Sequence, residues 1–294
     1  MKLDFSIWLV NYLMDSSATL KEINEAWSRS SLYDKAVSRS LFHIYRRKTE
    51  DFFGIDIICD RRTNKYYIKD PRVLRSDPLK SWLLSSMSAV TTIERCKALT
   101  DRIMLETTYG GESFLSLITE AMSVNRCLQL LYKPFWHEEP YLLVLEPYFI
   151  RLFRQRWYLI GFSHKHREIR IFALDRMKKI EMMKQTFSMP EGMNVESFFF
   201  NSFGIMQQDN IPVESIRLRF IAEQGMYIKT KPLHHFQHLL SMDSDYMVFE
   251  YRLSPTFDFF QEVLSYGSDV EVLAPDSFRQ RVAECVRWMT KIYL

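Results

Sequence analysis

The region between residues 126 and 173 consists of short stretches rich in aromatic, leucine and β-branched residues. Turn-forming sequences separate these stretches at Lys133-Pro134, at Glu139-Pro140 and over residues 163–167. The pattern predicts five β-strands, at residues 126–132, 141–146, 148–153, 156–162 and 168–173. Strands this short and this close together fit a small β-barrel better than a parallel sheet.

Positive charge is concentrated in and after these strands. Residues 146–184 contain ten Lys or Arg and four Asp or Glu, an excess of six in a chain whose net charge is +3. A concentrated positive potential attracts anions, so the region is a candidate site for an anionic ligand. A sheet with a solvated basic face would have the same composition.

The first 30 residues predict two helices. Apolar residues at helical spacing indicate a first helix over residues 3–14, followed by the polar break Asp15-Ser16-Ser17. Thr19 and Glu22 form a capping-box pattern at the start of a second, short helix with Ile23 and Trp27 on its inner face.

A third helix and a hairpin complete the N-terminal part. Ser38 is the predicted N-cap of this helix and Gly54 its C-terminal glycine. Its predicted inner face consists of Leu41, Ile44, Tyr45 and Phe52. Two strands follow at residues 55–59 and 65–68, joined by a turn that contains two arginines.

Three helices followed by a basic-tipped hairpin are the elements of a winged helix-turn-helix. In that motif the third helix enters the major groove of DNA and the hairpin, or wing, touches the backbone. The residues predicted to contact DNA are Ser38, Arg39, Ser40, His43, Arg46, Arg47, Arg61, Arg62 and Lys65. A winged helix that binds protein instead of DNA is the alternative.

Residues 71–125 predict a helical connector. Within a connector that runs from Pro71 to about Thr108, Asp77-Pro78 opens a helix. Its apolar face consists of Trp82, Leu83, Met87, Val90, Ile93 and Leu99. Such a face suits a dimer contact and an intramolecular brace equally well. A further helix is predicted over residues 112–125.

Residues 213–294 alternate between strand and helix patterns in the order βαββαβα, which indicates a ferredoxin-like sandwich. The segment contains His234, His235 and His238. Because no cysteine or carboxylate stands at ligand spacing near these histidines, no metal site is predicted.

The sequence lacks the motifs that mark several classes of protein, including membrane proteins, secreted proteins and the common enzyme families. The four cysteines are scattered without a CxxC pair, which favours reduced thiols in a cytoplasmic protein. No stretch reaches the roughly 18 apolar residues of a membrane span, and the N-terminus is a poor signal peptide. GxSxG, Walker and HExxH motifs are absent, so the sequence predicts no enzyme and no cofactor.

Three separate segments resemble the WYL domain family, in the usual order and spacing. They are Pro147, the run Trp157-Tyr158-Leu159-Ile160-Gly161, and the run Arg170-Ile171-Phe172-Ala173-Leu174-Asp175-Arg176-Met177. The C-terminal third, including residues 232–237 and 266–275, resembles the WCX extension that often accompanies WYL domains. Gln155-Arg156 stands where a glycine often precedes the Trp, and Ala173 stands where the family often has arginine.

The resemblance implies a bacterial transcription regulator with an α+β multidomain fold. The expected domains are a winged helix-turn-helix (residues 1–70), a helical connector (71–125), an Sm-like WYL β-barrel (126–190) and a WCX domain (191–294). The protein is expected to bind double-stranded DNA as a homodimer. A nucleic-acid-binding accessory or scaffold protein without a dedicated promoter is the alternative function.

The resemblance also implies that the barrel senses an anionic ligand: a nucleotide, an oligonucleotide or single-stranded nucleic acid. Tyr158, Arg170 and Arg176 match the family's basic pocket, although an ion pair with Asp175 or another acid is the alternative role of Arg176. Local charge adds three candidate ligand-binding residues, Arg151, Arg154 and His164. Because neighbours in a strand face opposite ways, Trp157 and Leu159 are expected in the core and Tyr158 at the surface.

Overall fold

The computed structural model of the protein describes residues 3–30, 33, 35–95, 106, 110–207 and 210–294. The chain forms two compact units, Met1–Leu105 and Glu106–Leu294, called here the N-terminal and C-terminal units. Both units combine helices with antiparallel sheets, which gives a mixed α and β fold.

The N-terminal unit contains a small sheet among helices. Its elements are α1 (Leu3–Leu13), β1 (Ala18–Thr19), α2 (Leu20–Ser28), α3 (Arg39–Phe53), β2 (Ile57–Asp60), β3 (Lys65–Ile68), α4 (Arg72–Ser76) and α5 (Pro78–Arg95). The strands pair antiparallel in the order β1-β3-β2. The three helices and the hairpin are confirmed, whereas the two-residue strand β1 was not predicted.

Local hydrogen bonds set the ends of α2 and α3. Thr19 and Glu22 form the reciprocal capping box that their spacing predicted. The Ser38 hydroxyl accepts a hydrogen bond from the Leu41 backbone N–H at the start of α3. Gly54 ends α3 with φ at 60°, a conformation that glycine adopts without steric cost. These caps confirm the predicted boundaries.

The predicted inner face of α3 is partly wrong. Ile44 and Phe52 are about half exposed, at 50% and 49%. The buried residues are instead Phe42, Thr49 and Phe53, and the two phenylalanines pack with α1 and α2 around Phe5 and Trp27. The face lies about one position away from the predicted one because Phe42 packs on the sheet, in an edge-to-face contact with the Tyr66 ring at 4.7 Å between ring centres.

The helix α5 packs inside the N-terminal unit. Leu84 is buried and Met87 packs against the same core as α1, and the Asn11 side chain donates a hydrogen bond to Ser88 at 3.2 Å. Trp82, predicted on the apolar face, is 48% exposed. The rest of the predicted connector helix, including Leu99, lies outside the described residues.

The C-terminal unit begins with α6 and a five-stranded antiparallel sheet of order β7-β6-β5-β4-β8. The bounds are α6 (Leu115–Ser123), β4 (Arg126–Tyr132), β5 (Tyr141–Phe153), β6 (Arg156–Ser163), β7 (Glu168–Ala173) and β8 (Met177–Thr186). Residues 141–146 and 148–153, predicted as two strands, form the single strand β5 with an irregularity between Pro147 and Phe149. The strand β8 was missed.

The two faces of this sheet bury different side chains. Leu159 packs with α6 in one cluster, against which Trp157 is partly buried. Tyr158 packs on the opposite face, against a second cluster that includes Phe149 and Phe199. The predicted alternation is confirmed, because Leu159 and Trp157 share one face and Tyr158 lies on the other. The predicted surface position of Tyr158 is wrong, because its side chain is half-buried against the second cluster.

The C-terminal part of the chain forms a second, four-stranded sheet, in the order β10-β11-β9-β12. The bounds are α7 (Val195–Phe199), β9 (Glu214–Ile221), α8 (Ala222–Thr230), β10 (Gln237–Met242), β11 (Tyr246–Leu253), α9 (Phe257–Ser265), β12 (Val270–Ala274) and α10 (Asp276–Tyr293). From β9 onward this confirms the predicted βαββαβα order. Among the described helices, none combines the length and the apolar character of a bilayer span. Cys59, Cys127 and Cys285 are unbridged.

Candidate ligand-binding cleft

An open cleft of about 740 Å³ lies along β7, the edge strand of the five-stranded sheet, next to Tyr158 on β6. One wall comes from the sheet and the turn after β7, and the other from residues that follow α7 or lie in it. The lining residues are Tyr132, Tyr158, Glu168, Ile169, Arg170, Ile171, Ala173, Arg176, Phe198, Ile205, Met206 and Gln207. The structure therefore brings together Tyr158, Arg170 and Arg176.

Arg170 lies at the exposed side of the cleft, on β7. Its Nε donates a hydrogen bond of 2.6 Å to Glu168, and both side chains are about half exposed. An ion pair so open to solvent contributes at most about 1 kcal/mol. A phosphate that approaches the guanidinium can therefore replace Glu168 at little cost.

Arg176 is held more firmly than Arg170. Its guanidinium carbon lies 4.0 Å from the ring centre of Phe135, and its buried Nε has no hydrogen-bond partner among the described residues. Asp175 forms its ion pair with Arg156 instead, at 3.1 Å. Asp175 is therefore paired with Arg156 and not with Arg176, and in the part of the chain that the structure describes no other acid forms an ion pair with Arg176. The Nε–H of Arg176, buried and unpaired among these residues, is available to an acceptor in the cleft.

Tyr132 and Arg176 influence one another electrostatically. Burial raises the pKa of the Tyr132 hydroxyl, and the positive charge of Arg176 opposes that rise. Tyr132 is therefore a neutral phenol at physiological pH. A neutral phenol next to a guanidinium can donate a hydrogen bond to the same anion that the guanidinium binds.

A buried carboxylate fixes the far wall of the cleft. The same oxygen of Asp258, on α9, accepts hydrogen bonds from the backbone N–H groups of Ile205 and Met206, at 2.8 and 2.7 Å. Hydrogen bonds to an ionised acceptor are among the stronger ones in proteins. The far wall is consequently attached to the helix that packs on the second sheet.

Aromatic side chains continue from the cleft along the loop between β4 and β5. Phe135 covers Arg176, and Trp136 beside it is 96% exposed. Further along, the Tyr141 ring lies 5.5 Å from the His137 ring and 3.7 Å from the Lys165 ammonium. An exposed row of rings with interleaved cations is the surface on which bases and phosphates of a nucleic-acid strand can lie.

Sequence reasoning missed Phe135 and Trp136. They stand in the sequence KPFWHEEP, whose two prolines predict turns and no binding site. Two adjacent aromatic residues in a proline-bounded loop were the available signal, because a loop of this kind has no core in which to bury them. The residues of the far wall, 205–207, carry no comparable signal.

Two parts of the chain match known domain models. Residues 113–182 match the model of the WYL domain, and residues 212–289 match that of the WCX domain. The chain contains a WYL domain and a WCX domain. Tyr158, Arg170 and Arg176 lie in the WYL domain, whereas residues 205–207 stand between the two domains.

Solved structures offer two distant likenesses. Proteasome accessory factor B/C (PafBC) of Arthrobacter aurescens has 17% identity and a TM-score of 0.38, and the match covers 95% of this chain and 45% of that chain. A structure described as a CRISPR Cas-related protein has 13% identity and a TM-score of 0.40, with 99% and 77% covered. No curated protein matches the sequence.

Three predicted ligand-binding residues of the WYL domain do not line the cleft. Arg151 stacks on Phe199 with 4.0 Å between guanidinium carbon and ring centre, and burial lowers its pKa. Arg154 forms an ion pair of 2.5 Å with Glu262, on α9. His164 lies 2.9 Å from Glu146, measured from Nε2 to Oε1. The first two join the sheet to the C-terminal part of the unit.

His234 lies near Arg151 and gives a prediction about pH. The backbone N–H of Phe236 donates to His234 Nδ1 at 3.2 Å, and burial, with the charges of His235 and Arg151, lowers the pKa of His234 to about 4. An unfolded histidine has a pKa of about 6.5, so acid protonates the unfolded state first. The stability that His234 contributes is therefore complete above about pH 6.5 and decreases as the pH falls toward about 4.

Thermal unfolding of the variant His234→Gln tests this expectation. Its melting temperature should depend less on pH than that of the wild type between about pH 4 and 6.5. His238→Gln, on the exposed surface of β10, is the matched control and should keep the wild-type profile. An equally steep profile for wild type and His234→Gln would contradict the prediction.

The residues predicted to contact DNA lie at the two expected places in the N-terminal unit. Most are exposed along the first part of α3 or in the β2–β3 turn; these are Ser38, Arg39, Ser40, His43, Arg47, Arg61 and Arg62. Lys65 is half-buried at the start of β3. Arg46 is half-buried too, forms an ion pair of 3.7 Å with Glu50 and lies over the Tyr66 ring.

Proposed function

We propose that the chain is a ligand-responsive, DNA-binding regulator of transcription without enzymatic activity. In this proposal residues 1–70 act as a winged helix on duplex DNA, and the WYL domain acts as an Sm-like barrel that senses an anionic ligand. The ferredoxin-like WCX domain holds the far wall of the cleft. The observation that carries the proposal is that Tyr158, Arg170 and Arg176, which the WYL motif singled out, line one cleft.

The chemistry of the cleft favours a nucleotide, an oligonucleotide or single-stranded nucleic acid. Guanidinium groups bind phosphate with two parallel hydrogen bonds, and a tyrosine can stack on a base. Ile169, Ile171 and Phe198 supply apolar surface beside these polar groups. The volume of about 740 Å³ lies in the range of small-molecule sites.

A screen of mononucleotides and short single strands tests the sensing function. A ligand that binds the native state must raise its stability, by about 2.7 kcal/mol at a hundredfold excess over Kd. We expect at least one phosphate-bearing compound to raise the melting temperature, and the unphosphorylated nucleoside to have a smaller effect. A full set of nucleotides and strands without any effect would exclude this class of ligand.

The α3 surface supports duplex binding through Arg47 rather than Arg46. Arg47 is exposed and has no ion pair with any described residue, whereas Arg46 is engaged with Glu50 and Tyr66. Each phosphate contact adds about 0.9 to the slope of log K against log salt. Arg47→Ala is therefore expected to weaken duplex binding and to reduce that slope by about 1.

Fluorescence anisotropy of labelled duplex DNA at several salt concentrations measures this slope. Arg72→Ala is the matched control, because Arg72 belongs to the same unit but lies on α4, where it pairs with Asp70 at 2.9 Å. It should retain the wild-type slope. An unchanged slope for Arg47→Ala would argue against α3 as the recognition helix.

The alternative function is a nucleic-acid-binding accessory or scaffold protein without a dedicated promoter. A regulator that reads a two-fold operator requires two winged helices, so the proposal includes a homodimer on DNA. Footprinting on the DNA upstream of the protein's own gene separates the two functions. A discrete protected site at moderate salt supports the regulator, and the absence of any protected site would overturn it.

A further inference from the structure

Three different metal-binding side chains meet on the five-stranded sheet, and none of them lines the cleft. They are Cys127 on β4, Glu146 on β5 and His164 directly after β6. One ligand atom from each lies within 4.8 Å of the other two. Among the described residues, no other group of three or more His, Cys, Asp or Glu side chains has its ligand atoms within 4.8 Å of one another.

Sheet pairing holds these residues in place. Glu146 is the register partner of Phe162, close to the end of β6, and the His164 backbone N–H donates to the Val144 carbonyl at 3.0 Å. Cys127 precedes Leu128, which pairs with Leu145. Ligands that are held by adjacent strands keep their positions better than ligands on a free loop.

A further hydrogen bond orients the carboxylate. The Tyr148 hydroxyl donates to Glu146 Oε2 at 2.8 Å, while Oε1 faces His164 Nε2 at 2.9 Å. Metal-binding carboxylates are commonly oriented by such a partner outside the ligand set.

From this arrangement we propose that Cys127, Glu146 and His164 bind a zinc ion. Sulfur, nitrogen and oxygen donors suit Zn²⁺, whereas Mg²⁺ and Ca²⁺ take oxygen ligands. Three protein ligands leave the fourth tetrahedral position open to water. Cys127 is fully buried and His164 is exposed, so the ion can enter from the side of His164.

The charge balance of the site is simple. Zinc forms a bond to sulfur as the thiol loses its proton to solvent, and the thiolate and carboxylate together neutralise the two positive charges. His164 binds through its neutral ring. Zinc affinity should therefore increase with pH.

Metal titration of the tag-free, full-length chain after treatment with a chelator tests the proposal. Competition with a chromophoric chelator should show one zinc ion per chain. Cobalt substitution should give the absorption of a thiolate ligand and of tetrahedral Co²⁺. Cys127→Ser should remove the thiolate absorption and weaken zinc binding by more than about 10-fold, while Cys285→Ser, on α10, should bind as the wild type does.

A second variant covers the case in which Cys127→Ser does not fold. His164 is exposed, and in His164→Gln the glutamine can still donate to Glu146, so this chain should fold and bind zinc more weakly. Tyr148→Phe should cause a smaller loss by releasing the carboxylate. Wild-type affinity in His164→Gln, or no bound zinc in the wild type at equimolar metal, would overturn the proposal.

Discussion

Replacing Arg176 with alanine is expected to weaken nucleotide or oligonucleotide binding by roughly 10- to 100-fold, the equivalent of about 1.5 to 3 kcal/mol for hydrogen bonds to a charged group. The reason is that its guanidinium is already positioned. Phe135 lies 4.0 Å from the guanidinium carbon, and the buried Nε lacks a partner among the described residues. Little side-chain entropy remains to be lost on binding.

Anisotropy of a fluorescently labelled oligothymidine strand measures this effect. Lys179→Ala provides the control, because Lys179 is an exposed cation on β8 that forms an ion pair with Glu181. It removes one charge from the same domain without touching the cleft. Equal affinity of wild type and Arg176→Ala for the strand would remove Arg176 from the binding site.

Arg170→Ala should have a smaller effect than Arg176→Ala. Arg170 exchanges one exposed acceptor, Glu168, for another when it binds a phosphate, so its net gain is limited. Comparing the loss of ligand affinity in the two variants therefore shows whether the arginine held by Phe135 contributes more to binding than the exposed one. The reverse order would show that the phosphate lies at the Arg170 side of the cleft.

Among glycine-to-alanine substitutions at the described residues, Gly161→Ala is expected to cause the largest loss of stability. Gly161 lies in the middle of β6, between its register partners Pro147 and Arg170. A Cβ atom at this position would lie 2.0 Å from the carbonyl oxygen of Glu146. Because that atom belongs to the backbone of β5, the two central strands must separate, and a cost above about 3 kcal/mol is expected.

Thermal and urea unfolding followed by circular dichroism test this expectation. Gly192→Ala is the matched control, because Gly192 has φ at 74° and no atom within 4 Å of the added Cβ. It carries only the backbone cost of an alanine at positive φ, about 1 kcal/mol. If both variants lose the same stability, β5 shifts to accommodate the added methyl group at little cost. The explanation that Gly161 is required by the close approach of β5 and β6 would then be wrong.

Sequence reasoning succeeded where the cause of a structure is local. The capping box of Thr19 and Glu22 and the glycine end of α3 depend on residues within a few positions of one another. The inner face of α3 depends on its contact with the sheet, so periodicity alone placed Ile44 and Phe52 in the core wrongly. A helix face known to within one residue is the usual limit of a 3.6-residue pattern.

The strand β8 shows a second limit. Its sequence, MKKIEMMKQT, contains one β-branched apolar residue and four Lys or Gln, which are poor signals for a strand. Its extended conformation comes from pairing with β4, more than 40 residues earlier in the chain. Only the long-range partner makes this segment a strand, and no window of neighbouring residues contains that information.

Some residues of the candidate site could be predicted from the sequence and others could not. Tyr158, Arg170 and Arg176 could be found because a motif marks them, and alternation along β6 correctly predicted the side on which Tyr158 lies. Arg151 and Arg154 were chosen for their charge, but each has its own contact with the C-terminal part of the unit. Charge alone cannot distinguish an arginine that binds a ligand from one that joins the sheet to a neighbouring helix.

The attachment of the far wall to Asp258 gives the cleft a thermodynamic property. One wall belongs to the five-stranded sheet, and the other is bound to α9 through the hydrogen bonds of Ile205 and Met206 to Asp258. A ligand that touches both walls binds more tightly at one angle between the two sheets than at another. By reciprocity, any partner that changes this angle changes the ligand's affinity by the same factor as the ligand changes the partner's.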